Sequence, residues 1–294
     1  MLSAELQIKA RDIGLRKAVV LSGIECIYYE YPSSEKSNKT IVMVHGYRGN
    51  HHGLEAIAGG LGNYRVIIPD LPGFGESPQL SSRHSLDAYA HWLQLLIDEL
   101  NLTGQVILLG HSFGTLVVGT YATRNECKAI VLINPVSAPA LSGPRGFLTR
   151  ITSAFYHLST SLPERVGSWL LRSPMAVMVM STVMAKSKNG KLRKWIHKQH
   201  LENFSDFSSV AVAREAYDAS ISTDLSMLSP SIHAPVLIIA ATLDDITNID
   251  TQRRVALKYP NATLVEIEHV GHLVHYEAPS EAASHIASFI ESVK

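Results

Sequence analysis

The stretch QVILLGHSFGTLVVGTYA, residues 105–122, runs from an apolar segment through a serine into a segment that can continue as a helix. The residues before Gly110 have the length and composition of a strand buried on both faces. Gly110-His111-Ser112-Phe113-Gly114 then fits the pattern G-x-S-x-G. A serine hydroxyl is a poor nucleophile until it stands clear of its own backbone and within hydrogen-bond reach of a base. A sharp strand-to-helix turn achieves this by straining the serine backbone. Glycines two positions to either side let neighbouring segments pass that turn without a Cβ clash. The pentapeptide alone is common; its strand–turn–helix setting is what gives it weight.

Outward from this stretch the same rhythm repeats. Ala18–Leu21 and Glu25–Tyr31 are β-rich, and Thr40–Val44, Tyr64–Ile68 and Ala129–Ile133 are short apolar runs bounded by turn residues. Pro235–Ala241 and Thr263–Ile267 supply two more. Helix patterns fall between them at Gly53–Leu61, Leu86–Leu100, beyond Ser112 to Arg124, near Thr251–Tyr259, and after Pro279. Strands alternating with helices imply right-handed βαβ units, hence a mostly parallel sheet with helices on both faces. The rhythm breaks between Ala140 and Pro230, a region rich in Ser, Met and aromatic residues with no buried-strand pattern. It reads as a helical lid inserted after the sixth strand. The expected division is a core over 1–139, a lid over 140–230 and the rest of the core over 231–294.

The composition agrees with a soluble globular chain of this size: 294 residues, 46% hydrophobic and 18% charged. Lys plus Arg and Asp plus Glu balance at 26 each, which leaves no basic footprint for nucleic acid and argues against strong attraction to anionic membranes. The two cysteines, Cys26 and Cys127, read as buried free thiols. Residues 1–10 lack the basic start and sustained apolar run of a signal peptide. Trp169 to Met184, broken by Arg172 and Pro174, is short for a membrane span of about 20 residues. A cytoplasmic location with no transmembrane segment is the expectation.

If Ser112 is a nucleophile, an acid and then a histidine should follow it in the chain. His272, in Val270-Gly271-His272-Leu273-Val274-His275, follows a strand and precedes a helix, where it can face the carboxyl ends of the strands. His269 and His275 flank it and read as structural hydrogen-bonding residues. Asp244 and Asp245, just beyond the strand V-L-I-I-A-A, both qualify as the acid that accepts the imidazole N–H. His51 and His52 invite a metal reading, but two adjacent histidines with no partner cluster in the sequence fit a loop at the pocket mouth better.

With these residues in view, the chain resembles the α/β-hydrolase fold family, in its lidded branch with esterases, lipases and meta-cleavage-product hydrolases. The resemblance runs from about Gly23 to Ile290 and is weakest in the lid. It rests on His45-Gly46, D-L-P-G-F-G-E-S at Asp70–Ser77, G-H-S-F-G at the elbow, L-D-D-I-T at Leu243–Thr247 and G-H-L-V-H-Y-E-A-P at Gly271–Pro279. In the family pattern the acid lies three residues after a small residue that ends its strand. Ala241 holds that place, which selects Asp244. The histidine after Gly271 is the catalytic one by the same pattern. The resemblance also implies an oxyanion hole from the backbone N–H groups of Phe113 and Tyr47. Asp70–Ser77 carries no nucleophile in this pattern, and its glycines and prolines shape a tight loop. Asn134 stands where some relatives carry an acid. As an amide it can serve only as a substrate contact, and His111 is a second candidate for that role.

These residues suit acyl transfer through a covalent intermediate, with no metal or organic cofactor. The leading reading is hydrolysis of a carboxylic ester of a small or medium apolar substrate. Trp169, Leu170, Leu171, Met175, Val177, Met178, Val179 and Met180 then form an apolar acyl pocket or pack the lid onto the core. Cleavage of a carbon–carbon bond, a thioester or an amide is the alternative within the fold. A ligand-binding or receptor relative with slow catalysis is the alternative outside enzymology.

Overall fold

A computed structural model describes residues 2–35, 39–137 and 146–293. Eight strands form one sheet: β1 (Leu15–Leu21), β2 (Ile24–Tyr31), β3 (Thr40–Val44), β4 (Arg65–Pro69), β5 (Ile107–His111), β6 (Ala129–Ile133), β7 (Val236–Ala241) and β8 (Ala262–Ile267). Their order is β1-β2-β4-β3-β5-β6-β7-β8, antiparallel from β1 through β4 and parallel from β4 to β8. β3 and β6 have the bounds read from the sequence, and the other strands differ from that reading by one to three residues at one or both ends, as element boundaries do.

The central strands have no solvent face, which explains their unbroken apolar runs. Along β3, Val42 and Val44 enter one core while Ile41 and Met43 enter the other. Helices α3 (Leu86–Glu99) and α4 (Phe113–Ala122) cover the first face. Helices α2 (Glu55–Gly60) and α13 (Pro279–Ser292) cover the second. Cys26 is buried on β2, where the Trp92 indole N–H donates to its sulfur at 3.1 Å, and Cys127 is half-buried; both are free.

The first helix escapes the sequence reading. Residues Leu2–Ile13 form a helix, α1, laid against α2. Its buried positions are Ser3, Gln7 and Ala10, while Leu2, Ile8 and Ile13 are exposed. A helix that buries small and polar residues shows no apolar period. The approach depends on Gly59, where a Cβ would stand 2.0 Å from the Leu6 carbonyl oxygen.

Between β6 and β7 the described chain is helical: α5 (Gly146–Ser161), α6 (Glu164–Leu171), α7 (Pro174–Met184), α8 (Gly190–Asn203), α9 (Val210–Ser220) and α10 (Leu225–Leu228). The expected start of the insertion at residue 140 lies outside the described residues. The insertion shares the first core through Tyr156, Leu171, Phe207 and the buried face of α9. Of the residues read as an acyl pocket or as lid packing, Leu171 packs into the first core and Val177 is buried, while Trp169, Met175 and Val179 are exposed and serve neither role. A short helix α11 (Ile249–Ala256) links β7 to β8, and α12 (Val274–Glu277) precedes α13. Among the described residues, no helix is long and apolar enough to cross a membrane.

Candidate active site

The carboxyl ends of β5, β6, β7 and β8 converge, and their following loops carry the polar residues. Ser112 directly follows β5 with φ 52° and ψ −118°, a left-handed conformation that costs a non-glycine residue about 1–3 kcal/mol. The turn is fixed from three sides. The Ser112 amide donates to the Ile133 carbonyl at 3.0 Å, a Cβ on Gly110 would meet the Gly114 oxygen at 2.5 Å, and one on Gly114 would meet the Val44 oxygen at 2.2 Å. Only glycine permits these approaches. The result is a partly exposed serine on a rigid turn.

His272 reaches that serine across the sheet end. Its Nε2 lies 2.8 Å from Ser112 Oγ and its Nδ1 lies 2.8 Å from Asp244 Oδ2. With Nδ1–H donating to the carboxylate, Nε2 presents a lone pair to the serine hydroxyl. Asp244 is held in turn, its Oδ1 accepting the amides of Ile246 at 2.7 Å and Thr247 at 3.0 Å. His272 and Asp244 are both buried, so their ion pair would develop away from bulk water. Asp245 points elsewhere and pairs with Lys186. Of the two aspartates, the structure therefore brings Asp244 to the imidazole. His269 is exposed in a left-handed turn, and His275 is buried against the His111 ring at 4.1 Å.

Phe113 opens α4, so its N–H has no acceptor within the helix. Gly46, one residue before Tyr47, sits so close to the elbow that a Cβ there would lie 3.1 Å from His111 Nδ1 and 3.4 Å from Ser112 Cβ. Tyr47 thus begins the segment that borders Ser112, with its own hydroxyl donating to the Ala213 carbonyl at 2.6 Å.

The two residues expected to touch substrate are placed inside the scaffold instead. Asn134 has no exposed surface; its Oδ1 accepts from the Ala241 amide at 3.0 Å and its Nδ2 donates to the Gly271 carbonyl at 3.2 Å. The side chain ties the ends of β6 and β7 to the His272 loop, and both its polar atoms are engaged there. His111 is buried, with its Nε2 3.1 Å from the His272 carbonyl oxygen. Burial and the neighbouring His272 push its pKa down to about 3, so it stays neutral and donates Nε2–H to that carbonyl. Its position at the last residue of β5, opposite Ile133, turns the ring under the histidine loop rather than toward the opening.

Two further loops brace the elbow. His45 is buried, its Nε2 accepting the Leu71 amide at 2.9 Å and its Nδ1–H donating to the Gly46 carbonyl at 2.9 Å. Burial lowers its pKa and keeps it neutral, which this donor–acceptor pairing requires. Asp70 accepts both the His51 amide at 2.7 Å and His51 Nδ1 at 2.9 Å. Burial would raise its pKa, but the His51 contacts win and hold it below the ordinary carboxylate value. Tyr29 stacks on the same imidazole at 3.6 Å. His51 and His52 do meet a third candidate metal ligand, Glu55, within 4.8 Å. Arg11 already bonds that carboxylate at 2.7 Å and lies 3.2 Å from His52 Nδ1, so a fixed cation occupies the neighbourhood.

Two residues near the site carry roles that the sequence reading did not assign. Glu277 accepts the Gly271 amide at 2.7 Å, the Lys186 amide at 2.8 Å and the Ser187 amide. It joins the histidine loop to the α7–α8 connection. Its signal was present in G-H-L-V-H-Y-E-A-P, but only as part of a pattern. Arg48, buried and one residue beyond Tyr47, donates to the Leu171 carbonyl at 2.8 Å, the Phe204 carbonyl at 3.1 Å and the Tyr156 hydroxyl at 3.2 Å. Its guanidinium also lies over the Phe204 ring at 4.6 Å.

Comparison with known proteins identifies the family. Residues 39–279 match the family model of the alpha/beta hydrolase fold. The chain is 22% identical over 291 residues to Lipase 1 of Psychrobacter immobilis, covering 95% of this chain and 84% of that protein. It is 23% identical over 234 residues to an Acinetobacter baylyi (E)-2-((N-methylformamido)methylene)succinate hydrolase, covering 78% of this chain and 81% of that one. Among solved structures, a thermophilic esterase from Thermogutta terrifontis superposes with a TM-score of 0.75 at 21% identity, over 95% of this chain and 99% of the other. The match spans most of the sheet and the loops that hold Ser112, Asp244 and His272. The chain belongs to the α/β-hydrolase fold family and is a hydrolase.

Proposed function

We propose that the enzyme hydrolyses carboxylic esters with small or medium apolar acyl groups, through an acyl-enzyme formed on Ser112. The observation that carries this reading is the relay Ser112 Oγ–His272 Nε2 and His272 Nδ1–Asp244 Oδ2, each 2.8 Å, on a strained and glycine-packed turn. In this reading His272 takes the Ser112 proton as Oγ bonds to the ester carbonyl carbon. The carbonyl electrons move to oxygen, where the Phe113 and Tyr47 amides stabilise the charge. The tetrahedral intermediate collapses, and the alkoxide leaves with the proton from His272. Water then attacks the acyl-enzyme by the same route and frees the acid. Asp244 orients the imidazole and stabilises its cation.

The chain is read as a core of 1–139 and 231–294 with an insertion of 140–230 that roofs the site. Names of relatives support ester cleavage: one is a lipase and one an esterase. The Acinetobacter baylyi relative is named as a hydrolase of an N-methylformamido-substituted methylenesuccinate, so an amide is a second candidate for the same relay. The test is a panel of p-nitrophenyl esters, thioesters and amides together with a fluorophosphonate probe. The wild type should prefer short to medium esters and become labelled, while Ser112→Ala should do neither. Labelling that survives in Ser112→Ala would remove the nucleophile assignment.

A further inference from the structure

The zero net charge conceals a strong segregation. From Arg165 to Leu201 the chain carries eight Lys and Arg residues and no Asp or Glu. The remainder carries 18 basic against 26 acidic residues. The basic segment is α6, α7, α8 and their connections; within it Lys186 pairs with Asp245 and Lys198 with Glu202, while Lys191 and Lys194 stand exposed on α8. An electrostatic argument from the net charge averages over this division; a nearby surface would meet only the face turned toward it.

The same segment exposes apolar side chains in register. On α7, Met175, Val179 and Val183 recur at i, i+4 and i+8 and are exposed, with Met175 at 76%. The opposite side of α7 buries Val177 and Met184, the latter in a small core with Leu192, Ile196 and Tyr276. None of the eleven residues of α7 is charged. On α6, Val166 and Trp169 form a second exposed stripe, with Trp169 at 72%. The neighbouring α8 presents Lys191, Lys194 and Lys198 at i, i+3 and i+7, all exposed, while Leu192 and Ile196 turn inward. A water-facing helix stripe is ordinarily polar. An apolar stripe with a tryptophan beside a lysine stripe is the composition of a helix that lies in a lipid interface.

We propose that this face of α6, α7 and α8 docks on an anionic phospholipid surface. Trp169 and the α7 stripe enter the headgroup and upper acyl region, and the α8 lysines bind headgroup phosphates. The partner is an anionic bilayer rather than an acidic protein because the exposed α7 stripe carries no charge, while the exposed Trp169 and the α8 lysines together suit headgroups lying over acyl chains. The lysines add attraction only where the leaflet is negative. Docking is independent of the bond that the active site cleaves.

The test uses the full chain carrying Ser112→Ala, so that lipid is not consumed, and follows it by vesicle co-flotation and by tryptophan fluorescence. Trp92 is buried and Trp195 half-buried, so Trp169 dominates the exposed signal. Vesicles of phosphatidylglycerol mixed with phosphatidylcholine should bind at least about tenfold more tightly than pure phosphatidylcholine, with the difference collapsing at high salt. Emission should shift to the blue and be quenched by acyl-brominated lipid. Lys191→Glu with Lys194→Glu should abolish the preference for anionic lipid. Met175→Ser with Val179→Ser should weaken binding at both salt concentrations, with circular dichroism showing that each variant is folded. Equal binding to both vesicle types, an unshifted Trp169, or tighter binding to soluble polyglutamate than to the anionic vesicles would overturn the proposal. An inactive wild type that still docks would count against the ester reading alone.

Discussion

The Glu277 carboxylate accepts the backbone N–H of Gly271 at 2.7 Å, one residue before the imidazole that faces Ser112. The same carboxylate accepts two amides from the α7–α8 connection, so the histidine loop and the insertion share one acceptor. In Glu277→Gln one oxygen becomes an NH2 group facing backbone donors. The expected result is a kcat lowered about tenfold with KM changed less, and a stability loss of about 1–3 kcal/mol. Steady-state kinetics beside urea unfolding checks it. An unchanged kcat would make the contact a tether with no influence on the imidazole.

The neighbouring aspartates should separate sharply. Asp244→Asn keeps the shape but offers an N–H where the His272 Nδ1–H needs an acceptor, and kcat should fall by about 10³–10⁴. Asp245→Asn weakens the pair with Lys186; the Asp245 carboxylate is 42% exposed, and the variant should stay within about threefold of the wild type. Ester hydrolysis by the two purified variants decides it; the reverse ranking would move the acid by one residue.

Gly114 tests the elbow as a packed object. The carbonyl that a Cβ there would strike belongs to β3, which the sheet holds in place. Gly114→Ala should therefore cost at least about 3 kcal/mol, from displacement of backbone rather than side chain. Denaturant midpoints at fixed pH measure the loss.

Acid should destabilise the protein through its neutral buried histidines. His111 is pushed down to about 3 and His200 to about 4, both chiefly by burial, and His275 also lies well below the ordinary histidine value. These groups bind protons more readily unfolded than folded. Their contribution is complete above about pH 6.5 and is lost as pH falls toward the folded values, at about 1.4 kcal/mol per pH unit for each group. Thermal midpoints should drop between pH 7 and pH 5, and His275→Gln should flatten that slope. A slope unchanged in His275→Gln would show that this residue already titrates normally in the folded protein.

How much of this could be read beforehand depended on whether burial and apolarity coincide. The runs at β3, β5 and β6 are apolar because both faces of the sheet are covered, so a one-dimensional pattern was enough to find them. Ser112 was visible because the elbow needs glycines at fixed spacing. His272 and the pair Asp244 and Asp245 were visible because each follows a strand whose end faces the same opening; the choice of Asp244 came from the family pattern rather than from the local sequence. Helix α1 was invisible because Ser3, Gln7 and Ala10 are its buried side. Asn134 was misread because its partners, Ala241 and Gly271, are more than a hundred residues away. Such contacts leave no local period, and neither does a buried cation such as Arg48.

Arg48 has a consequence for how members of this fold exchange their roofs. Its guanidinium starts from the loop beside Ser112, yet its acceptors are carbonyls and a hydroxyl that belong to the inserted helices. Grafting a different insertion onto this core would strand a cation in the interior unless the graft supplied the Leu171 and Phe204 oxygens at the same places. Replacing Arg48 with methionine would remove that demand. Among the ties between insertion and core, this buried cation is the one that cannot be left unmatched, and a chimera would have to inherit the lock or discard the key.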